Sequence, residues 1–335
     1  MSKNKGNACG GCAKKTSIGG QALIEGIMMR GPEKSAMAVR NPNGEIVLET
    51  WETQALFKGK FFKLPIIRGV FGFIDSMKTG YKCLMRSAEI AMPEEEETEA
   101  EKEKKAKKES KKEKKKTDNS KSGDIGMKLL MAVSGVLGVL LAIALFVWLP
   151  AQLYSWLGKA VPSISDNRYL RSVFEGVFRI VLFVGYMWLV SRMNDIHRTF
   201  MYHGAEHKTI FCYEHGHELT VENVRKERRF HPRCGTSFMI LMLLVGIIIG
   251  MFIPAEIPAI GRTVIKLLLL PLTVGIGYEL IKLAGRRDNL FTRIISAPGM
   301  WLQHLTTVEP DDGMIECAIA AFKEVIPEDK NADNW

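Results

Sequence analysis

Residues 127–149 read MKLLMAVSGVLGVLLAIALFVWL, and past Lys128 nothing in that run is charged. About 20 such residues in a helix match the hydrocarbon core of a bilayer, so the run predicts a transmembrane helix and an integral membrane protein. Mean hydropathy is only +0.01 over 335 residues, because a nearly pure Lys/Glu stretch offsets the apolar runs. With 47% apolar and 25% charged residues, the composition excludes a disordered chain, a collagen and a small disulfide scaffold. Six cysteines in this length are too few for a disulfide framework. No signal or transit peptide is expected, since the first long apolar run begins near Leu129.

Three further spans are expected at 173–191, 235–253 and 263–283. The second carries Glu175 and Arg179, four apart with the acid first, which favours a local ion pair. In the fourth, Pro271 predicts a kink, and Gly275 and Gly277 permit close helix contact. Trp148, Tyr154 and Trp156 stand where an interfacial aromatic belt belongs. Residues 155–172 hold three Lys/Arg, 254–261 hold none, and the loop 192–234 holds eight. That excess marks the cytosolic side, which places both termini in the cytosol. Thiols there stay reduced and are free to act as metal ligands.

Around this four-span unit (127–283) the chain divides by composition. Residues 1–17 form a mobile N-terminus, where Cys9-Gly10-Gly11-Cys12 is a lone CxxC and a weak metal signal. Residues 18–60 are glycine-broken apolar runs and two β-type runs around the turn Asn41-Pro42-Asn43-Gly44, which predicts a small cytosolic β element containing a hairpin. Glu25 and Arg30 are expected as a solvated pair. Residues 61–92 predict an amphipathic helix: Ile74, Met77, Tyr81, Leu84 and Met85 share one stripe, with Lys78, Lys82 and Arg86 opposite. Such a helix lies in the membrane interface or packs on the spans. Residues 93–126, with eleven Lys between 102 and 121, form a charged linker suited to anionic lipid or to a ribosome. In 284–335, Asp311 and Asp312 cap a last helix whose Met314, Ile315, Ala318, Ile319 and Phe322 form an apolar face.

Six of the seven His lie between His197 and His231, in the cytosolic loop 192–235. His203 and His207 are four apart and share a helical face, so two imidazoles can meet one cation. Glu214 falls on the same face, and Glu206 sits beside it. Gly216 predicts the helix end and Thr220 the next cap. His203-Gly204-Ala205-Glu206-His207 fits H-x-x-E-H, the inverted zinc-protease pattern in which Glu is the general base for metal-bound water. Zinc held by His203, His207 and some of His231, Cys234, Cys212 and Glu214 is expected, either in a closed structural site or an open catalytic one. His215 and His217 read as solvated.

GGQALIEGIMMRGP, LPIIRG, YHGAEHKTI, HPRCGTSF and PGMWLQHLTT followed by EP resemble the YqhQ-like family of multi-pass bacterial membrane proteins. The resemblance runs from about Ile18 to Val325, apart from the charged linker. It implies a metal-dependent enzyme with motif residues at His203, Glu206, His207, His231 and Cys234, and it supplies no substrate.

Two functions compete. One is a zinc-dependent hydrolase, peptidase-like, with Glu206 as its base at the cytosolic membrane face. It would act on a membrane protein, a peptide or a lipid head group. The other is a scaffold in membrane-protein biogenesis or envelope assembly, whose metal knits the loop while other segments engage lipid, ribosome, translocation machinery or a second copy of the chain. A transporter using Glu175, Arg179 and Glu279 is a third idea, without a repeat to support it.

Overall fold

The computed structural model describes residues 14–54, 56–57, 59–92, 133–286, 289–329 and 332–334. The Cys9/Cys12 pair, the linker 93–126 and the start of the first apolar run lie outside the described residues.

The chain is mainly helical with one small sheet. Strands β1 (Gly19–Leu23), β2 (Gly26–Arg30), β3 (Lys34–Arg40) and β4 (Ile46–Glu52) form an antiparallel meander in that order. The expected hairpin is β3–β4, where Asn41 takes the Glu45 N–H on its side-chain oxygen at 2.9 Å and the Gly44 N–H on its carbonyl at 2.9 Å. The glycine-broken run adds a second hairpin, so the sheet is larger than one hairpin. Strands β2 and β3 are buried on both faces, which is why their sequences run apolar without alternating.

Ten helices follow among the described residues: α1 (Ile67–Ala91), α2 (Val133–Ala160), α3 (Arg168–Val190), α4 (Asn194–Glu214), α5 (Val221–Lys226), α6 (Gly235–Gly250), α7 (Ala259–Leu268), α8 (Leu270–Arg286), α9 (Leu290–Thr306) and α10 (Asp312–Val325). One sheet face, with Ile27, Met29, Ala36 and Ala38, packs on Met314, Ile315, Ala318 and Phe322 of α10 and on α4. The other, with Leu23, Met28, Met37 and Val39, packs on Cys83 of α1. Asp311 caps α10 by accepting the Met314 N–H at 2.8 Å.

Helices α2 and α3 are long and apolar enough to cross a membrane, and α7 with α8 would make a third span bent by 50° at Leu269, two residues before the expected Pro271 kink. Helix α6 has 16 residues, about 24 Å at the helical rise against a hydrocarbon core of ~30 Å. Among the described residues, two helices, or three if the bent pair is one span, are thus long and apolar enough to cross a membrane. Close contact at Gly275 is real, but with α1: a Cβ there would stand 2.4 Å from Ile66 Cγ2. Glu279, read as an intramembrane charge, instead accepts from Arg68 Nε at 2.7 Å and fixes the start of α1.

Helix α1 has three faces. Gly69, Gly80, Cys83 and Ser87 are its buried residues, small enough to let it lie against sheet and α8. Ile74, Met77, Tyr81, Leu84 and Met85 face outward and are exposed. Two other expectations change. Tyr154 is buried, its hydroxyl donating to Ile164 O at 2.8 Å, so only Trp148 and Trp156 remain as belt candidates. Glu25 and Arg30 do not pair: Glu25, in the turn between β1 and β2, takes Arg198 Nε of α4 at 2.5 Å, and Arg30, at the far end of β2, reaches Asp75 of α1 at 2.6 Å.

Candidate metal centre

Helix α4 positions the centre. It begins after a break at 191–193 rather than continuing the preceding span, and from Gly204 to Cys212 every residue is buried. A helix buried all round is a core element. Gly204 is required for this, because the connector to α10 crosses over it: a Cβ would lie 2.0 Å from Val308 O, and Val308 N–H donates to Phe200 O at 2.9 Å. The helix ends where expected, with Gly216 at φ 74 and Thr220 accepting from Asn223 N at 3.3 Å.

His203 and His207 meet edge to face, with ring centroids 4.4 Å apart and planes at 64°. His203 Nδ1 lies 2.7 Å from Thr306 O and His207 Nδ1 2.5 Å from Arg229 O. A carbonyl only accepts, so both Nδ1 carry the proton and both Nε2 are turned inward, the orientation that outer-shell carbonyls impose on ligating histidines. His203 Nε2 stands 3.1 Å from Cys234 Sγ, and one ligand atom from each of His203, His207 and Cys234 lies within 4.8 Å of the others. Cys234 is the N-cap of α6, with Thr236 N–H donating to Sγ at 3.4 Å.

The charges follow from this packing. Burial pushes the Cys234 thiol up, but the facing His203 and His207 outweigh it and hold the group well below the ordinary thiol range. The helix N-terminus acts in the same direction. Burial lowers His203, yet Cys234 and then Glu206 raise it to about 9. Both shifts favour the charged forms, thiolate facing imidazolium, and a cation bound between them would take the place of the proton. Glu206 is buried and raised above the usual carboxylate range by desolvation, against the pull of His203 and His207. One of its oxygens accepts the Gly20 N–H of β1 at 3.1 Å. A cleft of about 340 Å³ opens along Gly19, Gly20 and Gln21, next to that contact.

The remaining candidates fall outside the group of three. His231 packs on His207 with centroids 5.5 Å apart, but its Nε2 faces Arg233 Nη2 at 3.2 Å and Glu214 at 3.9 Å. Burial, with Arg233 and His207, lowers it to about 4 against the pull of Glu214. Glu214 shares the helical face of His207 but sits two turns on, about 10 Å along the axis. There it binds Arg233 and the Thr16 N–H, the latter at 2.8 Å. Cys212 is five residues from His207 and hence turned away; its Sγ lies 3.4 Å from Glu218 O. A second group was missed by sequence reasoning: His215 and His217 both bond Glu227, at 2.8 and 3.1 Å, because the 216–220 turn folds α5 back onto them. No spacing rule signals Glu227.

A family described as "Protein of unknown function (DUF1385)" matches residues 64–328. The chain belongs to it. "Uncharacterized protein YqhQ" of Bacillus subtilis (strain 168) is 33% identical over 314 residues, 92% of each chain. No solved structure matches. The family match takes in His203, Glu206, His207 and Cys234, whereas Gly20, which bonds Glu206, lies before it.

Proposed function

We propose that the protein is a zinc-dependent membrane enzyme, hydrolase- or peptidase-like, working at the cytosolic face of a bacterial cytoplasmic membrane that it spans about four times, both termini inside. One observation carries the reading: His203, His207 and Cys234 converge, the two imidazoles pre-oriented by Thr306 O and Arg229 O, and Glu206 stands beside them without a salt bridge among the described residues. Two imidazoles and a thiolate are donors zinc favours, and three protein ligands leave a fourth position open, as in catalytic sites. Zinc, when bound, supplies Lewis acidity to a carbonyl or phosphoryl oxygen and makes water acidic. Glu206, its affinity for protons raised by burial, accepts a proton from water near neutral pH and returns it to the leaving group. The shell of apolar helices and the exposed stripe of α1 favour a substrate that is membrane-borne: a membrane protein, a peptide or a lipid head group.

A purely structural centre is the second reading, favoured because His203 and Cys234 join α4 to the start of α6. Glu206→Gln separates the two. The enzyme reading expects that variant to keep zinc and fold but not to restore the phenotype of a deletion strain, whereas His203→Ala/His207→Ala loses the zinc as well. Full restoration by Glu206→Gln would leave a structural site. Wild-type protein that takes up no zinc would remove both.

A further inference from the structure

Away from the candidate centre, α3 buries a second polar cluster. Glu175 is 0% exposed and is shared by four cations. Arg171 Nε lies 3.1 Å away, Arg262 Nε 3.4 Å and Arg179 Nη2 3.6 Å, and Lys266 bonds it directly. The side chains of all four cations are nine-tenths buried or close to it, and Arg262 is fully so. One carboxylate balances one of these charges. Among the described residues no other acid joins the cluster, so the site carries a net charge near +3.

Burying uncompensated charge remains costly even after relaxation, and the hydrogen bonds do not finish the task. Arg171 is satisfied by Ala255 O at 2.9 Å and Ser155 Oγ at 3.0 Å. Arg262 spends only Nη1, on Pro254 O at 2.7 Å and Ile253 O at 3.2 Å, and Arg179 only Nε, on Phe146 O at 2.7 Å. Among the described residues, Arg262 Nη2 is a buried donor with no partner, and Arg262 Nε and Arg179 Nη2 have only the long ion-pair contacts to Glu175, 3.4 and 3.6 Å, without a hydrogen bond. Guanidinium forks with donors left over match an anion with several acceptor oxygens, which they bind bidentately.

We propose that this cluster is a binding site for a phosphate group, held by Arg179, Arg262 and Lys266 where α3 meets α7. The group arrives either on a phospholipid, whose head reaches the cluster about two turns inside α3 from its N-terminal end, or as free phosphate. Glu175 then serves as a brace that keeps the cations together, not as one half of an isolated ion pair.

The test uses full-length protein, washed free of lipid in a neutral, phosphate-free detergent, with thermal midpoints read against added ligand. Inorganic phosphate, dioleoyl phosphatidylglycerol and dioleoylglycerol (the same tails without phosphate) are titrated separately. Wild type is expected to gain several degrees, saturably, from one of the first two and nothing from dioleoylglycerol. A response to inorganic phosphate assigns a free ion, and a response to phosphatidylglycerol alone assigns a lipid head. Arg262→Gln and Arg179→Gln should weaken that response about tenfold or more and reverse the rank order: at least as stable as wild type without ligand, where like charge is relieved, and less stable with it. A wild type that gains nothing from phosphate or phosphatidylglycerol overturns the proposal whatever the variants do. Equal gains in wild type and both variants overturn it too.

Discussion

His231 illustrates how a single buried side chain couples the fold to pH. Its folded value of about 4 lies below the ordinary 6.5, so between those limits the unfolded chain binds a proton that the folded one refuses. Stability is then complete above pH 6.5 and falls as pH drops toward 4, by up to about 3 kcal/mol for this group. In zinc-free protein the thermal midpoint in detergent is expected to fall over that window, and His231→Gln should flatten the profile. A wild-type profile flat from pH 6.5 to 4.5 would contradict the assignment. At this scale the sequence was informative where spacing alone sets proximity, as for His203 and His207 four residues apart on one helix; Cys234 was legible as a candidate ligand, but its cap position and its approach to His203 across 31 residues were not. It was less informative where a partner comes from elsewhere. Arg233 captures Glu214, and nothing in the local sequence says that this carboxylate is already engaged.

Among the elements, α1 and α8 depart furthest from pattern. Periodicity correctly gave α1 as a helix with separate apolar and charged stripes, but packing chose a third face made of glycine, cysteine and serine, because only small side chains allow a helix to lie close to a sheet and to another helix. The apolar stripe is left facing outward, and the basic residues beside it suit anionic head groups. Tyr81, 67% exposed, is therefore expected to contact lipid: p-benzoylphenylalanine at position 81 should crosslink to phospholipid in native membranes, and the same group at Cys83, buried against the sheet, should not. Crosslinking of Tyr81 to protein alone would mean that a partner covers the stripe. The cap at Asp311 and the end at Gly216 were legible from local chemistry, and Pro271 signalled a bend, although the break falls two residues earlier, at Leu269. The shortness of α6 was not, since the apolar run 235–253 continues past the point where the backbone turns at 251–253.

For the whole molecule, the relation least visible in sequence is that the first strands and the last helix share one core. Phe322 and Met314 pack with Ile27, Met29 and Ala38, and Asp333 reaches back to accept from Thr16 Oγ1 at 2.6 Å. Hydropathy finds the apolar faces of both segments but cannot say that they face each other. Phe322→Ala is expected to destabilise the sheet unit by about 3–5 kcal/mol, read as rapid proteolysis within 14–54 while α2 and α3 remain in the membrane. Unchanged protease resistance would show that the sheet holds without α10. The arrangement also has a consequence in time. Strands β1 to β4 leave the ribosome first, yet the helix that covers one of their faces emerges only after every apolar helix has been made. During synthesis that sheet face stays uncovered on this side until α10 has been made, so the core around α4 closes only after the chain has reached Val325.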